Sequence, residues 1–479
     1  MSAEFENKVA EFIESNGLFG SEDKVLLAVS GGVDSTALLH AVCALKAGGV
    51  LGGELVCAHI NHQLREAEAD GDEDFVVGEA GRLNVTAITR RVDVREYARK
   101  NKLSIETAGR ELRIEALVDI AKANNCNVIA TAHQKDDNAE TILQRLTRGT
   151  GYRGLGGVWP KRTFASGVTF VRPLLCVTRA EIIEYLKQRN LAWRVDRTNV
   201  DYSYRRNFIR HRLMPELEGR CSRSVVEELY ELSESVRKFY GMVCECAEKV
   251  WAKLAECGDE GVILDLQQLS AEHPAVKVEL VRRALAAVGS GERDLTQERF
   301  ERILQLAGQK ASGRRIELPG GFVVRSEYGK LIFSRGEDEQ ATKKTSDSIT
   351  IKVPGQTRFG NYLAEAGVFE VELGSEGRFK AGKMSFVEWF DLDKVKMPLV
   401  VRGRRAGERF IPLGSSQEKK VGKFLTAQRV PQRIRRRLLI AADSEKIIWV
   451  WPIRISEEAK VTGQTRRILR LQITDATLE

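Results

Sequence analysis

The chain of 479 residues lacks the features of several protein classes. It has no apolar run of about 18 residues, the length that a membrane-spanning helix needs. Its first residues (MSAEFENKVAEFIESNG) carry acidic side chains and no apolar core run, so we expect no signal peptide. With 43% hydrophobic and 30% charged residues, the composition excludes a disordered or fibrous chain. We expect a cytoplasmic protein of about three domains without membrane contact.

Paired cysteines are also missing from the sequence. The eight cysteines include no CxxC pair, and the closest two, Cys244 and Cys246, are too near each other for a usual zinc knuckle. Others lie in apolar runs such as LVCAHI, which is typical of small buried side chains. We interpret all of them as reduced thiols, with neither a disulfide framework nor a zinc site.

The pattern along the chain predicts a multidomain α/β protein. Residues 1–215 alternate short apolar strands, such as KVLLAV at 24–29, with helical patterns, which indicates an open, Rossmann-like parallel sheet. Residues 216–335 are mainly helical in pattern and end in short β-rich pieces. A polar stretch at 336–348 is typical of a linker, and residues 349–479 predict a small α+β or β-rich domain.

A glycine-rich hexapeptide connects the first predicted strand to the first predicted helix. Its residues are Ser30, Gly31, Gly32, Val33, Asp34 and Ser35. The two glycines permit a tight turn, and the N-terminus of the following helix favours phosphate. Asp34 alone would repel phosphate, so we interpret it as a ligand of a bridging Mg²⁺. The hexapeptide has no lysine to grip β- and γ-phosphates, which favours attack at the α-phosphate with loss of pyrophosphate.

A second group of candidates follows the fourth predicted strand, at 127–131. His133 lies just beyond the carboxyl end of this strand, where open parallel sheets bind ligands. It could contact phosphates or relay a proton. Asp137 and Glu140 are three residues apart on one helical face. Together with Asp136 they predict a site for a cationic amino acid or a second metal ion.

Two further pairs are candidates with less specific patterns. Arg110 and Arg113, on a predicted helix at 105–123, offer planar donors to a carboxylate or a phosphate. His59 and His62 end the second predicted strand, but no third soft ligand has matching spacing. We interpret them as packing or nucleotide-side residues and not as zinc ligands.

The hexapeptide matches the PP-loop of ATP pyrophosphatases. The resemblance implies their Rossmann-like fold, the adenine nucleotide alpha hydrolase-like fold. Residues 58–65 (AHINHQLR), 130–141 (ATAHQKDDNAET) and 204–210 (YRRNFIR) narrow this class. With them the sequence closely resembles the tRNA(Ile)-lysidine synthetase family. The resemblance covers the N-terminal domain, is weak through the middle, and returns at 401–410 (VRGRRAGERF).

The resemblance implies an AMP-forming carbon–nitrogen ligase. Such an enzyme adenylates the C2 oxygen of the cytidine at the first anticodon position of a tRNA(Ile) with a CAU anticodon. L-lysine then attacks C2 and expels AMP, giving lysidine and changing the codon read from AUG to AUA. Because the lysine ammonium has a pKa of about 10.4, the site must remove a proton from it.

The resemblance also implies roles for the candidate residues. Asp34, His133 and Asp137 would be catalytic, and the hexapeptide with His59 would bind ATP, with Mg²⁺ on Asp34. The implied lysine-binding residues are Arg110, Arg113, Asp136, Asp137 and Glu140.

The basic charge of the protein is concentrated near its C-terminus. Residues 402–437 hold twelve Lys or Arg and two Glu, a net charge of +10, whereas the whole chain carries +8. Such a cluster predicts contacts with tRNA phosphates, and Phe410 and Phe424 within it predict stacking on an exposed base. The predicted tRNA-binding residues there are Arg402, Arg404, Arg405, Arg409, Lys419, Lys420 and Lys423. Arg205, Arg206 and Arg210, near the end of the first domain, are predicted to hold the anticodon stem.

Three alternatives explain part of these observations. A tRNA thiolase of the PP-loop class would usually need reactive or cluster-binding cysteines, which the absence of CxxC disfavours. An amide-forming ligase such as an NAD synthetase explains the hexapeptide but not the basic C-terminal segment. A non-catalytic tRNA-binding protein with a relic nucleotide site is disfavoured because the hexapeptide, His133 and Asp137 are intact.

Overall fold

The computed structural model describes most of the chain as two compact units. The described residues are 2–64, 66–163, 167–195, 205–258, 261–291, 296–308, 313–336, 348–371 and 386–475. One unit comprises Met1–Lys249 with Leu295–Phe300, and the other Val250–Asp294 with Glu301–Glu479. In the part of the chain so described, no helix is both long enough and apolar enough to cross a membrane. The predicted linker falls mostly in residues 337–347, outside the described residues.

A six-stranded sheet forms the centre of the first unit. Its strands are β1 (Lys24–Ala28), β2 (Glu54–Asn61), β3 (Thr86–Arg91), β4 (Val128–Ala130), β5 (Lys161–Thr163) and β6 (Thr169–Val171). They are ordered β3-β2-β1-β4-β6-β5, and every pair is parallel except β5 with β6. From β1 the chain adds β2 and β3 on one side of the sheet. It then crosses to the other side of β1, where it adds β4, β6 and β5.

Helices cover both faces of this sheet. The helices described up to Leu254 are α1 (Ser2–Ser15), α2 (Val33–Ala47), α3 (Glu66–Arg82), α4 (Val94–Asn101), α5 (Ile105–Ala123), α6 (Lys135–Leu146), α7 (Tyr152–Leu155), α8 (Arg179–Gln188), α9 (Arg205–Phe208), α10 (Met214–Glu218) and α11 (Val225–Leu254). Successive β1 side chains point to opposite faces: Leu27 joins a core formed by α1, α2, α3 and α8, and Leu26 joins one formed with α5. Both faces are buried, which explains the continuous apolar run in the sequence.

The second unit consists of antiparallel sheets with short helices. Its helices are α12 (Leu266–Ala271), α13 (Pro274–Ala287), α14 (Gln297–Gly308, shared with the first unit), α15 (Val421–Ala427) and α16 (Gln432–Arg437). A first sheet has the order β7-β8-β11-β10-β9, from β7 (Ala255–Gly258), β8 (Gly261–Asp265), β9 (Arg314–Leu318), β10 (Phe322–Glu327) and β11 (Lys330–Arg335). Helical segments and this small sheet together form the middle of the chain.

Residues 349–371 and 386–475 form a β-rich sandwich. One sheet contains β12 (Ile349–Thr350), β16 (Val400–Gly403), β19 (Leu439–Ala442), β20 (Ile447–Trp451) and β21 (Arg454–Ile455). The other contains β13 (Gly355–Phe359), β14 (Tyr362–Glu370), β15 (Val387–Asp391) and β22 (Arg467–Asp475). A two-stranded ribbon pairs β17 (Arg409–Phe410) with β18 (Lys419–Lys420). The predicted fold class, a parallel α/β domain followed by helical and β-rich regions, is confirmed.

One detail predicted for the C-terminal region is wrong. Phe410 and Phe424 are only 2% and 5% exposed, and their rings meet edge to face at 5.1 Å. They belong to an apolar core with Leu425 and Ile440. Because the hydrophobic effect holds both rings inside this core, neither is available to stack on a nucleotide base.

Candidate active site

The candidate site lies where the strand order of the parallel sheet reverses. The hexapeptide 30–35 follows β1, and His133 follows the adjacent strand β4. The chain leaves these two strands in opposite directions, which opens a crevice outside their carboxyl ends. Open α/β sheets bind ligands in such a crevice. Two segments that are about a hundred residues apart in sequence thus come together.

The hexapeptide forms a compact turn that leads into α2. Gly31 has a φ of +86°, a backbone conformation that side chains other than glycine rarely adopt. The Ser35 hydroxyl lies 3.1 Å from both the Ser30 amide and the Ser30 hydroxyl, closing the loop on itself. The Gly31 carbonyl accepts from the amide of Arg194 at 2.9 Å. These bonds fix the loop before any phosphate arrives.

Asp34, in the first turn of α2, has one paired and one unpaired carboxylate oxygen. Its Oδ2 lies 3.3 Å from Nη1 of Arg179, while its buried Oδ1 has no hydrogen-bond partner among the described residues. Burial raises the pKa of this carboxyl to about 6; the Arg179 charge opposes the rise, and the Asp137 charge adds to it. An orphaned carboxylate oxygen in a half-buried position is suited to receive a cation.

Helix α6 carries the three predicted acidic residues in and next to its first turn. Gln134 caps the helix: its side-chain oxygen accepts from the amides of Asp136 and Asp137, at 2.5 and 3.3 Å. Asp137 completes a capping box, because its Oδ2 accepts from the Gln134 amide at 3.4 Å. The cap leaves Oδ1 of Asp137 available for other partners.

Two arginines pair with the acidic face of α6. Arg206 contacts Asp137 at 2.7 Å and Glu140 at 2.9 Å, and Arg210 contacts the same carboxylates at 2.9 and 2.5 Å. Arg210 lies in a π-helical turn at Ile209–Leu213, a distortion that is frequent at functional sites. The Glu140 side chain is 3% exposed, whereas that of Arg206 is 42% exposed. The carboxylates are therefore held in the protein, and the arginines reach them from the solvent side.

A cavity of about 380 Å³ opens beside these ion pairs. Four charged side chains already described line it: Asp136, Glu140, Arg179 and Arg210. Its other lining residues are His211, Met214, Pro215, Glu218 and Val226. The cavity thus combines anionic and cationic groups with an apolar wall, which suits a zwitterionic ligand with an aliphatic chain.

His133 is held neutral by its surroundings. Burial lowers its pKa to about 3, and the charges of Arg172, Arg113 and Arg206 add to this effect against Asp137. The Thr131 hydroxyl donates to the Val171 carbonyl at 3.3 Å, so it accepts from Nδ1 of His133 at 3.1 Å. This arrangement leaves Nε2 of His133 unprotonated and able to accept a proton.

The low pKa of His133 predicts a contribution to acid sensitivity. Below about pH 6.5 this histidine is protonated in the unfolded chain, whereas in the folded protein it stays neutral down to about pH 3. The free energy of unfolding therefore decreases as the pH drops from 6.5 toward 3. We expect His133→Asn to lose less thermal stability than the wild type between pH 7 and pH 5, by about 5 °C in Tm. Scanning calorimetry at the two pH values measures this difference. Equal losses in the two proteins would contradict the assignment.

The remaining predicted site residues are placed around this centre. Arg110 and Arg113 occupy exposed positions on α5, and the Arg113 charge lowers the pKa of His133. His59 is buried, and its Nδ1 lies 2.9 Å from the Val29 carbonyl, just before the hexapeptide. Burial lowers the pKa of His62 to about 4. A nucleotide contact by His59 and a lysine contact by the two arginines stay predictions.

Most of the predicted basic residues near the C-terminus are on the surface. Arg404, Arg405, Arg409, Lys419, Lys420 and Lys423 are exposed. Arg402 differs, since its side chain is only 12% exposed and pairs with Glu408 at 2.5 Å. Glu408 also accepts from the amide of Arg405 at 2.7 Å, so this pair fixes the turn that presents Arg404 and Arg405. Arg409 pairs with Glu418 at 3.1 Å. Phosphates can reach the other exposed residues, and Arg402 supports the backbone of the turn.

The structure brings Asp34 together with the three predicted acidic residues of α6, and it places Arg179 beside them. The charges of Asp136 and Asp137 raise the pKa of Asp34. Glu140 shares the ion-pair partner Arg206 with Asp137. The prediction missed Arg179, although Thr178 and Glu181 form a capping-box pattern that marks a helix start there. The side chain of Arg205 lies outside the described part of the chain, so the tRNA contact predicted for it stays a prediction.

Comparisons with known proteins agree with this geometry. A PP-loop domain model matches residues 1–217, a TilS substrate binding domain model matches 264–332, and a TilS substrate C-terminal domain model matches 399–473. The chain is 33% identical to a tRNA(Ile)-lysidine synthase of Geobacter sulfurreducens, over 98% of each chain. It is 32% identical to one of Caldanaerobacter subterraneus, over 98% of this chain and 97% of the relative, and 31% identical to one of Dehalococcoides mccartyi, over 97% and 98%.

Proposed function

The chain belongs to the tRNA(Ile)-lysidine synthase family, and from this membership we propose how its residues carry out the reaction. The substrates are ATP, L-lysine and the cytidine at the first anticodon position of a tRNA(Ile) with a CAU anticodon. The C2 oxygen of the cytosine attacks the α-phosphate of ATP, and pyrophosphate leaves. The ε-amine of lysine then attacks C2 and expels AMP. Because its substrates are a tRNA and ATP, we expect the enzyme to act in the cytoplasm.

The observation that carries this proposal is that a phosphate loop and the acidic residues of α6 lie in one crevice. Asp34 of the loop is electrostatically coupled to Asp136 and Asp137 of α6. In a site that binds only a nucleotide with one Mg²⁺ on Asp34, the further carboxylates of α6 would repel the phosphates. A site that also binds the ammonium group of lysine does need them.

The residues of the loop fit a Mg²⁺ ion. The orphaned Oδ1 of Asp34 is an oxygen donor of the kind that Mg²⁺ prefers. No group of three His, Cys, Asp or Glu side chains in the described part of the chain is arranged to hold a metal. Asp34 would therefore hold the ion together with phosphate and water oxygens. When bound, Mg²⁺ supplies neutralisation of phosphate charge.

The acidic pair of α6 serves as the lysine site through an exchange of partners. This pair consists of Asp137 and Glu140, and in the structure both carboxylates form ion pairs with Arg206 and Arg210. The lysine ammonium replaces these guanidinium groups, which are the more exposed members of the pairs. The freed arginines then contact tRNA phosphates, as their position near the end of the first domain predicts. Lysine binds the carboxylates, and the tRNA phosphates bind the arginines that lysine has displaced. The binding of either ligand therefore favours the binding of the other.

His133 serves as the proton acceptor for the attacking amine. Its Nε2 carries the lone pair, because Nδ1 donates to Thr131. Its pKa of about 3 is that of the unliganded site, where arginine charges surround it. Bound phosphates bring negative charge and raise this pKa toward a useful range. Asp137, which already raises it, would orient the amine toward C2.

A single assay tests the proposed reaction. The full-length protein is incubated with ATP, labelled lysine and a tRNA(Ile) transcript with a CAU anticodon, and the digested RNA is examined for lysidine. We expect label in the nucleoside fraction and one AMP for each lysidine formed. A transcript with a changed first anticodon base serves as the control and should stay unlabelled. Sulfur incorporation from a sulfur donor, with no lysine label, would overturn the proposal.

The exposed basic turn near the C-terminus should supply affinity for tRNA. We expect Arg404→Ala with Arg405→Ala to weaken tRNA binding by about tenfold at low salt, because each arginine neutralises one phosphate. The slope of log affinity against log salt should become shallower by about 2. The paired variant Lys396→Ala with Arg467→Ala removes two cations that already have carboxylate partners, and it should change neither quantity appreciably. Filter binding over a salt series would contradict this assignment if both variants behaved alike.

A further inference from the structure

The phosphate loop contains no cation of its own. Its six residues offer hydroxyl groups, amides and one carboxylate. The proposed adenylation releases pyrophosphate, whose negative charge grows as the bond to the α-phosphate breaks. An enzyme that stabilises such a leaving group needs a fixed cationic donor close to it. Besides the Mg²⁺ that Asp34 would hold, any cationic side chain that contacts the leaving group must therefore come from another part of the chain.

Arg179 is positioned to be that donor. It is the first residue of α8, and its amide donates to Oδ2 of Asp136 at 2.9 Å. Its guanidinium lies 3.3 Å from Oδ2 of Asp34. The residue thus connects the first turn of α6 with the phosphate loop across the crevice. Its side chain is 40% exposed, so it has room to turn toward a ligand.

Arg210, whose charge lowers the pKa of Asp34, is held by ion pairs with Asp137 and Glu140. Three further cations of the first unit also have partners that hold them elsewhere. The Nε of Arg194 pairs with Asp72 of α3 at 2.8 Å, although its backbone contacts Gly31. The ammonium of Lys135 pairs with Glu227 at 2.5 Å and is almost completely buried. Arg172 donates to the carbonyl of Trp159 at 2.8 Å. Among these five, Arg179 alone directs its guanidinium to the carboxylate of the loop.

We infer that Arg179 binds the β- and γ-phosphates of ATP and stabilises the departing pyrophosphate. In this step the cytosine C2 oxygen forms a bond to the α-phosphorus, and the bond from the α-phosphorus to its bridging oxygen breaks. The electron pair of that bond passes to pyrophosphate, where the guanidinium stabilises it. The contact with Asp34 holds the arginine in place in the free enzyme, and phosphate takes over this contact on binding. The inference rests on the proposed function.

Equilibrium binding of ATP, AMP and pyrophosphate to the full-length protein separates this role from a structural one. We expect Arg179→Ala to weaken ATP and pyrophosphate binding by about tenfold or more and to leave AMP binding within about twofold, because AMP lacks the contacted phosphates. The value of kcat/KM for ATP should fall about 10²-fold. Arg179→Lys keeps the charge without the planar fork, so part of the ATP affinity should return.

Two results would overturn the inference. In one, AMP affinity falls as much as ATP affinity, which would mean that Arg179 only shapes the loop through Asp34. In the other, ATP and pyrophosphate binding are unchanged. Arg189→Ala is the matched control, since it removes an arginine with an ion pair to Glu6 from the position just after α8, at the opposite end of the helix from Arg179. If the wild type binds ATP but makes no lysidine, the proposed function fails, while the binding comparison still decides the role of Arg179.

Discussion

Replacing Asp34 by asparagine should reduce lysidine formation by about 10³-fold while leaving tRNA affinity unchanged. The substitution keeps the size of the side chain, so the turn between β1 and α2 should be preserved. It removes the negative charge of the buried carboxylate whose Oδ1 has no partner. Without this charge the cation that neutralises the ATP phosphates is bound weakly, and pyrophosphate leaves slowly. Release of AMP and formation of lysidine, measured under single-turnover conditions, report the loss.

Asp72 provides a matched control for this experiment. Like Asp34, it is a partly buried carboxylate paired with an arginine, and its side chain is 21% exposed against 24% for Asp34. It lies on α3, outside the hexapeptide. We expect Asp72→Asn to keep activity within about threefold, because a surface ion pair contributes little. An equal loss in both variants, or a parallel loss of tRNA affinity in Asp34→Asn, would assign Asp34 a structural role.

The double variant Asp137→Asn with Glu140→Gln should raise the KM for lysine by about 10²-fold or more. Each carboxylate provides a charge-assisted bond to the lysine ammonium, and these bonds are among the strongest hydrogen bonds in proteins. The KM for ATP should change much less. Because the variant also releases Arg206 and Arg210 from their ion pairs, tRNA affinity should stay the same or increase. Steady-state kinetics with lysine varied, together with tRNA binding, measure both effects.

Glu227→Gln is the corresponding control. Glu227 of α11 forms an ion pair with Lys135 at 2.5 Å, so its loss removes a carboxylate next to α6 but outside the acidic face. We expect the KM for lysine to stay near the wild-type value in this variant. A second measurement addresses the exchange of partners directly. Lysine should bind several-fold more tightly when the tRNA is present, and in the double variant this enhancement should disappear.

Local patterns predicted much of the first domain. The apolar runs of β1 and β2 and the helical spacing of α5 agree with the structure, because a buried strand and a helix each impose a short-range period on the sequence. The hexapeptide also identified its own position at the first strand-to-helix turn. Strands β5 and β6 escaped prediction, since segments of three residues are too short to show a period.

Residue types and their spacing along the chain are enough to identify the phosphate loop, the acidic helix face and the basic C-terminal segment. Which of these charged side chains form ion pairs follows from the folded arrangement of distant segments. Arg179 pairs with Asp34 across 145 residues, and Arg206 pairs with Glu140 across 66. Periodicity is a local property, whereas an ion pair depends on how distant segments cross. Burial is decided in the same way, which is why Phe410 and Phe424 lie in a core although their neighbours in sequence are cationic.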